Sequence, residues 1–187
     1  ISYTSYLKRA IKTLTSILKK NDLELKFNTA WQLNERHYGS LTGLNKEETK
    51  KKIGEEQFKK YRRSWDIAPP SIEEKTEYQA LFSPLNANIP AGMIPFTESL
   101  KDTYDRVVPF YESEIKKNLK DNKNVLISAH GNSIRALCKY LFKLDNDRIS
   151  SLEIPTGNPL IIEVDKDVKI KKCEYLDKER AKSLLVF

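Results

Sequence analysis

Apolar side chains recur at Leu7, Ala10, Ile11, Leu14, Ile17 and Leu18. This spacing gathers them on one face of an α-helix. The first strong element is therefore expected to begin near Thr4 or Ser5, either of which can cap it, and to end at Asn21-Asp22. Leu23 to Phe27 alternates loosely, as a short strand does. Asn45 stands three residues before Glu48, the spacing of a capped helix start. Gly54 divides that helix from another running through Phe58 and Tyr61, which Pro69-Pro70 stops. Thr97 is expected to cap a third helical region. There Leu100, Tyr104, Val107, Val108, Tyr111, Ile115 and Leu119 lie mostly on one face, with a kink or break at Pro109.

Asn124 to Ala129 is a short apolar run of the buried-strand kind, followed by His130-Gly131-Asn132-Ser133 and a helical run from Ile134 to Phe142. Pro159 to Val164 reads as a strand, Asp165-Lys166-Asp167 as a turn and Val168 to Leu176 as the hairpin partner. Strands and helices interleave, which argues for an α/β layer fold with helices packed on the sheet. Ser71 to Pro95 holds Pro84, Pro90, Gly92 and Pro95 and reads as one long irregular segment. Segments of that length are usually functional or disordered. At 187 residues, one compact domain with a real core is expected over residues 1–187.

The charge narrows the function classes. Lys plus Arg is 33 and Asp plus Glu 26, giving a net charge of +7 and an affinity for anions. Lys50-Lys51-Lys52 and Lys59-Lys60 alternate with acidic residues, the pattern of solvated helix faces. Neither a zinc-finger spacing nor an RNA-binding aromatic motif is present, so nucleic acid is not the expected partner. The apolar runs, such as Leu184 to Phe187, are too short to span a membrane. The start, Ile1-Ser2-Tyr3-Thr4-Ser5, lacks the basic and apolar regions of a signal peptide. Cys138 and Cys173 make no disulfide framework and fit a reducing, cytoplasmic setting. Cys138 and the tryptophans Trp31 and Trp65 read as core residues. Two scattered cysteines and two histidines argue against a zinc site.

Four groups could carry chemistry. A turn from a strand's carboxyl end into a helix start, as at His130-Gly131-Asn132-Ser133, presents free backbone N–H groups and a favourable helix dipole to an anion. Gly131 lets the anion approach closely, and His130 can donate to a phosphoryl oxygen. The same four residues also suit a capped turn with a satisfied histidine. Within Leu33 to Gly39, Glu35 is a candidate general acid or base, Arg36 a candidate phosphate or carboxylate fork and Tyr38 a hydrogen-bond donor, or the stretch is a polar loop with a local ion pair. Lys8 and Arg9 in the first turn of a helix oppose the dipole unless an anion offsets them. Adjacent Arg62 and Arg63 can clamp an anion or lie exposed.

Taken in order, Leu33-Asn34-Glu35-Arg36-His37-Tyr38-Gly39, Gly43-Leu44-Asn45-Lys46, Arg62-Arg63, Pro95 to Leu100, Ala129 to Ser133 and Ile154 to Leu160 resemble cofactor-dependent phosphoglycerate mutases of the histidine phosphatase superfamily. The resemblance runs from about Tyr3 to Leu176. It implies a three-layer α/β/α fold with a mostly parallel sheet. It also implies a cytoplasmic, glycolytic enzyme interconverting 3-phosphoglycerate and 2-phosphoglycerate through a phosphohistidine primed by 2,3-bisphosphoglycerate, without a metal. By position, Glu35 would give and take the substrate hydroxyl's proton, and His130 would hydrogen-bond the phosphoryl group in transfer. Arg9, Arg36, His37, Tyr38, Lys46, Arg62, Arg63, Gly131 and Asn132 would hold phosphate and carboxylate. The partners implied are a small phosphorylated substrate and, in a homodimer or homotetramer, further copies of the chain.

One family feature is missing. The family opens with a strand ending in Arg-His-Gly, whose histidine is the nucleophile, and no such motif occurs here. The expectation is that this histidine lies upstream, that the central strand and its phosphate loop are absent with it, and that the 187 residues alone do not turn over. Alternatives are a bisphosphoglycerate mutase or phosphatase with the same pocket, a catalytically dead family member that keeps an anion site, and a basic nucleic-acid binder.

Overall fold

The computed structural model describes residues 1–72, 89–90 and 92–181. In chain order these form β1 (Ser2–Thr4), α1 (Lys8–Lys20), β2 (Asn28–Thr29), α2 (Lys46–Ile53), α3 (Glu55–Arg63), α4 (Leu100–Phe110), a π-helical turn (Tyr111–Ile115), α5 (Lys116–Lys120), β3 (Leu126–Ser128), α6 (Gly131–Leu141), α7 (Asn146–Ser151), β4 (Leu160–Val164) and β5 (Ile170–Tyr175). Packing divides the chain into two compact units, one of Ile1–Glu35 with Tyr104–Phe187 and the other Arg36–Thr103.

The first unit is built on a parallel sheet in the order β2-β1-β3, with Thr4 opposite both Thr29 and Ser128. Helix α1 buries Ala10, Leu14 and Leu18, the stripe its spacing predicts. Val107, Tyr111 and Ile115 are buried on the helical stretch through α4 and the π turn, as are Ala136 and Cys138 on α6. Tyr3 meets Phe110 edge-on, with ring centroids 5.8 Å apart, and its hydroxyl accepts from Asn118 Nδ2 at 2.8 Å. Strands β4 and β5 form the expected antiparallel hairpin. Cys138 is buried, and Cys173 lies half-buried on β5.

Several local expectations shift. Helix α1 starts at Lys8 because Ser2–Thr4 are drawn into the sheet, and neither Thr4 nor Ser5 caps it. Thr4 Oγ1 donates instead to the Ser128 carbonyl at 2.8 Å. Leu23 to Phe27 is not a strand. The strand falls at Asn28–Thr29, where β1 offers a partner, and Leu23 and Leu25 stay exposed. The helix runs through Pro109, which lacks the N–H that an α-helix would use, and the π turn begins two residues later, at Tyr111. Trp31 and Trp65 are half-buried rather than core. The expected irregular segment Ser71 to Pro95 falls mostly outside the described residues.

In the second unit, Asn45 Oδ1 accepts from the N–H groups of Glu47 and Glu48, the expected cap of α2, and Gly54 separates α2 from α3 with φ +85°. Helix α3 already ends at Arg63, where Ser64 turns extended, ahead of the prolines. Thr97 does not cap α4. Its hydroxyl donates to the Pro69 carbonyl, while Ser99 and Asp102 cap each other: both the N–H and the hydroxyl of Ser99 donate to Asp102 Oδ2, at 2.8 and 2.7 Å. Gly39, at φ +54°, lets the chain lie against Pro70, whose carbonyl accepts the Ser40 N–H at 2.8 Å.

A β-carbon at position 39 would lie 2.0 Å from the Pro70 oxygen and 2.8 Å from Thr97 Oγ1. Gly39→Ala therefore combines a backbone clash with an unfavourable φ. It should destabilise by about 2–4 kcal/mol, read as a lower denaturant midpoint at unchanged slope.

Candidate functional site

In the first unit the parallel register aligns the carboxyl ends of β1 and β3, the place where open α/β sheets bind ligands. Ser5 follows β1, and His130 stands two residues beyond β3, at the N-cap of α6. Their side chains meet, with Ser5 Oγ 2.7 Å from His130 Nε2. Arg9, exposed in the first turn of α1, donates from Nε to His130 Nδ1 at 3.1 Å. A guanidinium can only donate, so Nδ1 is the accepting nitrogen. The ring proton therefore sits on Nε2, facing Ser5.

His130 is 5% exposed, and its pKa is pushed down to about 3, first by burial and then by the nearby charges of Arg9 and Arg106. The ring is neutral across the physiological range and acts as an N–H donor. The head of α6 is open beside it. Gly131 is exposed, and nothing lies within 4 Å of where its β-carbon would be. The His130 N–H is held by Ser133 Oγ at 3.1 Å.

Glu35 belongs to the same unit. Asn132, the second residue of α6, donates from Nδ2 to Glu35 Oε1 at 3.0 Å. Arg106 on α4 donates to the carbonyls of Gln32, Asn34 and Glu35, pinning the backbone that carries this carboxylate. The structure thus brings Arg9, Glu35, His130, Gly131 and Asn132 into one unit around the head of α6.

The other candidates lie in the second unit. Arg36 is 2% exposed, and its fork is turned inward, donating to the carbonyls of Tyr61, Arg62 and Glu98. It also stacks on Tyr38, 4.5 Å from the ring centroid, and Arg62 lies 5.2 Å from the same centroid. The His37 N–H donates to Glu98 Oε2 at 2.7 Å, and its Nδ1 accepts from the Gly39 N–H at 3.1 Å. The ring also bonds to the Phe96 backbone. Burial holds its pKa below the ordinary value, against the opposing pull of the Glu98 carboxylate and that backbone bond. Lys46 is exposed at the start of α2, and Arg63 is the last residue of α3.

Sequence reasoning missed Ser5, Glu98, Arg106 and Arg135. Arg135 donates from Nη1 to Asn132 Oδ1 at 2.9 Å, and its position three residues after Asn132 on one helix was the available signal. Ser5 was hidden because local spacing reads it as a cap of α1, whereas it follows β1 and meets a residue 125 positions away. Glu98 and Arg106 act on segments some 60 to 75 residues away in sequence, which no local pattern reveals. Among the described residues no cluster of three or more His, Cys, Asp or Glu could hold a metal, and no helix is long and apolar enough to cross a membrane.

The fold is that of an α/β protein with a parallel sheet and helices. Residues 1–173 match the histidine phosphatase superfamily (branch 1), and the chain belongs to that family. Among curated relatives, it is 58% identical to a 2,3-bisphosphoglycerate-dependent phosphoglycerate mutase of Pelagibacter ubique, over 99% of this chain and 78% of the relative. It is 51% identical to the protein of that name from Treponema denticola, over 96% and 74%. Of solved structures, a mycobacterial glucosyl-3-phosphoglycerate phosphatase with inorganic phosphate shares the fold, with a TM-score of 0.62 at 19% identity over 94% of this chain and 74% of the other.

The unfolded His130 ring takes up a proton near 6.5 and the folded ring only near 3, so the unfolded state binds more protons between those values. Stability from this group is complete above about pH 6.5 and is lost as pH falls toward 3. Imidazole NMR should show a neutral Nε2–H ring at pH 6. Arg9→Met should raise the His130 pKa by removing one of the two cations, yet leave it below 6.5, because burial is the larger cause.

Proposed function

We propose that these residues form the acid–base and phosphate-holding part of a 2,3-bisphosphoglycerate-dependent phosphoglycerate mutase. The observation that carries this reading is the neutral His130 at the head of α6, held by Arg9 and standing beside the Glu35–Asn132 pair. Relatives 45–58% identical to the chain bear that name. A phosphoryl group needs several donors around its oxygens and little covalent help from the protein. The remaining N–H groups of Arg9, the His130 Nε2–H and the open approach to Gly131 are donors of that kind. When bound, 2,3-bisphosphoglycerate supplies the phosphoryl group that primes the cycle.

In this reading His130 donates to a phosphoryl oxygen, exchanging Ser5 for the substrate. Arg9 orients the ring and offsets the anion's charge. Glu35 takes the proton from the substrate hydroxyl and returns it, with Asn132 holding its carboxylate. Tyr38, Lys46, Arg62 and Arg63 bind phosphate and carboxylate, and Arg36 and His37 set the loop that presents Tyr38. Both ring nitrogens of each histidine are engaged, so His37 and His130 serve as donors and anchors rather than phosphoryl acceptors. A cytoplasmic homodimer or homotetramer follows from the same family likeness.

A coupled assay on the full-length protein tests the reading: 2-phosphoglycerate should form from 3-phosphoglycerate only when 2,3-bisphosphoglycerate is added, whereas residues 1–187 alone, whose two histidines serve as donors and anchors, should not turn over. Release of inorganic phosphate without isomerisation would replace the mutase with a phosphatase. Glu35→Gln and His130→Asn should each lower kcat about 10²–10⁴-fold. Gly131→Ala should leave stability within about 1 kcal/mol of the parent, since its methyl enters open space, while raising KM for phosphoglycerate.

A further inference from the structure

We infer that Arg135 is a positioning residue that sets the orientation of the Asn132 amide and, through it, the Glu35 carboxylate. The inference rests on the reading of Glu35 as the proton donor and acceptor. Arg135 is 4% exposed and lies one turn into α6. Its Nη1 donates to Asn132 Oδ1 at 2.9 Å, and its Nη2 donates to the Ile149 carbonyl on α7 at 2.6 Å. Asn132 in turn donates from Nδ2 to Glu35 Oε1 at 3.0 Å.

The polarity of this chain follows from chemistry alone. A guanidinium has no acceptor, so the Asn132 atom facing it is the oxygen. An ionised carboxylate has no donor, so the atom facing Glu35 is the amide nitrogen. Turning the amide over would set oxygen against carboxylate and NH₂ against guanidinium, two unfavourable contacts at once. The Ile149 carbonyl fixes the far end, and the order runs from α7 through α6 to the carboxylate. Without Arg135 the amide loses the donor that holds its oxygen, and a misplacement of a reacting group by about 1 Å costs on the order of 10²-fold in rate.

The alternative is that Arg135 merely clamps α6 to α7. Four full-length variants separate the two: Arg135→Met, Arg135→Lys, Asn132→Ala and the Arg135→Met/Asn132→Ala double, each checked by thermal melting. Arg135→Met should lower kcat roughly 10–100-fold with KM for 3-phosphoglycerate changed far less. Arg135→Lys, which keeps the cation and one donor direction, should recover part of the loss. In the Asn132→Ala background, Arg135→Met should cost no more than about twofold, because the amide it orients is already gone. Full additivity of the two losses, or unchanged kcat in Arg135→Met, would overturn the inference. The Asn132 side-chain NH₂ signal in ¹⁵N NMR gives a readout that needs no turnover. It should exchange slowly in the parent and faster, at a shifted position, in Arg135→Met and Arg135→Lys. A parent that fails the mutase assay yet shows this response would sink the functional reading and leave the positioning role standing. An NH₂ signal indifferent to position 135 would sink the positioning role itself.

Discussion

The pairing of β1 with β3 is the constraint on which the candidate site depends. Parallel strands in register deliver their carboxyl ends side by side, so Ser5 and His130, 125 residues apart in sequence, come within hydrogen-bond distance. The same register starts α1 and α6 from adjacent points. Arg9 in the first turn of one helix thereby reaches the N-cap histidine of the other. Neither element could create this contact alone. A three-residue strand is weak in isolation, and it holds here because Thr4 also bonds to the Ser128 carbonyl and Ser128 to the Ala10 carbonyl.

Electrostatics around the site follow from how the arginines are spent. Arg36, Arg106 and Arg135 direct donors to backbone carbonyls, where they fix loops and helix ends. Arg9 differs in being exposed at the mouth of the site. A buried neutral imidazole flanked by cations stays unprotonated, so its N–H remains available as a donor at neutral pH. Burial is the dominant cause. Changing one charge therefore moves the ring's proton affinity without returning it to that of a free histidine.

The second unit shows how a motif can be read correctly while its geometry stays hidden. Glu35, Arg36, His37 and Tyr38 are consecutive, yet Glu35 packs with the first unit's residues and the next three with the second unit's. Arg36 is drawn inward, where its guanidinium donates to the carbonyls of Tyr61 and Glu98. The Glu98 carboxylate and backbone bracket His37 from a segment 61 residues away, which no local spacing announces.

Local chemistry alone determined much of this molecule. The α1 stripe, the Asn45 cap, the Gly54 break, the β4–β5 hairpin and the strand–His130–helix turn all arise from contacts within a few residues, where periodicity and capping decide the outcome. The family was legible for the same reason, since its motifs are short and contiguous. Only the tertiary structure decided which strands Ser2–Thr4 lies between, that Ser5 faces His130, that Arg135 reaches the Asn132 amide, and that the Arg36 fork turns inward. Each of these depends on partners brought together by folding. Burial then fixed what composition could not, because the charge state of a histidine is set by the water it loses and the cations it gains.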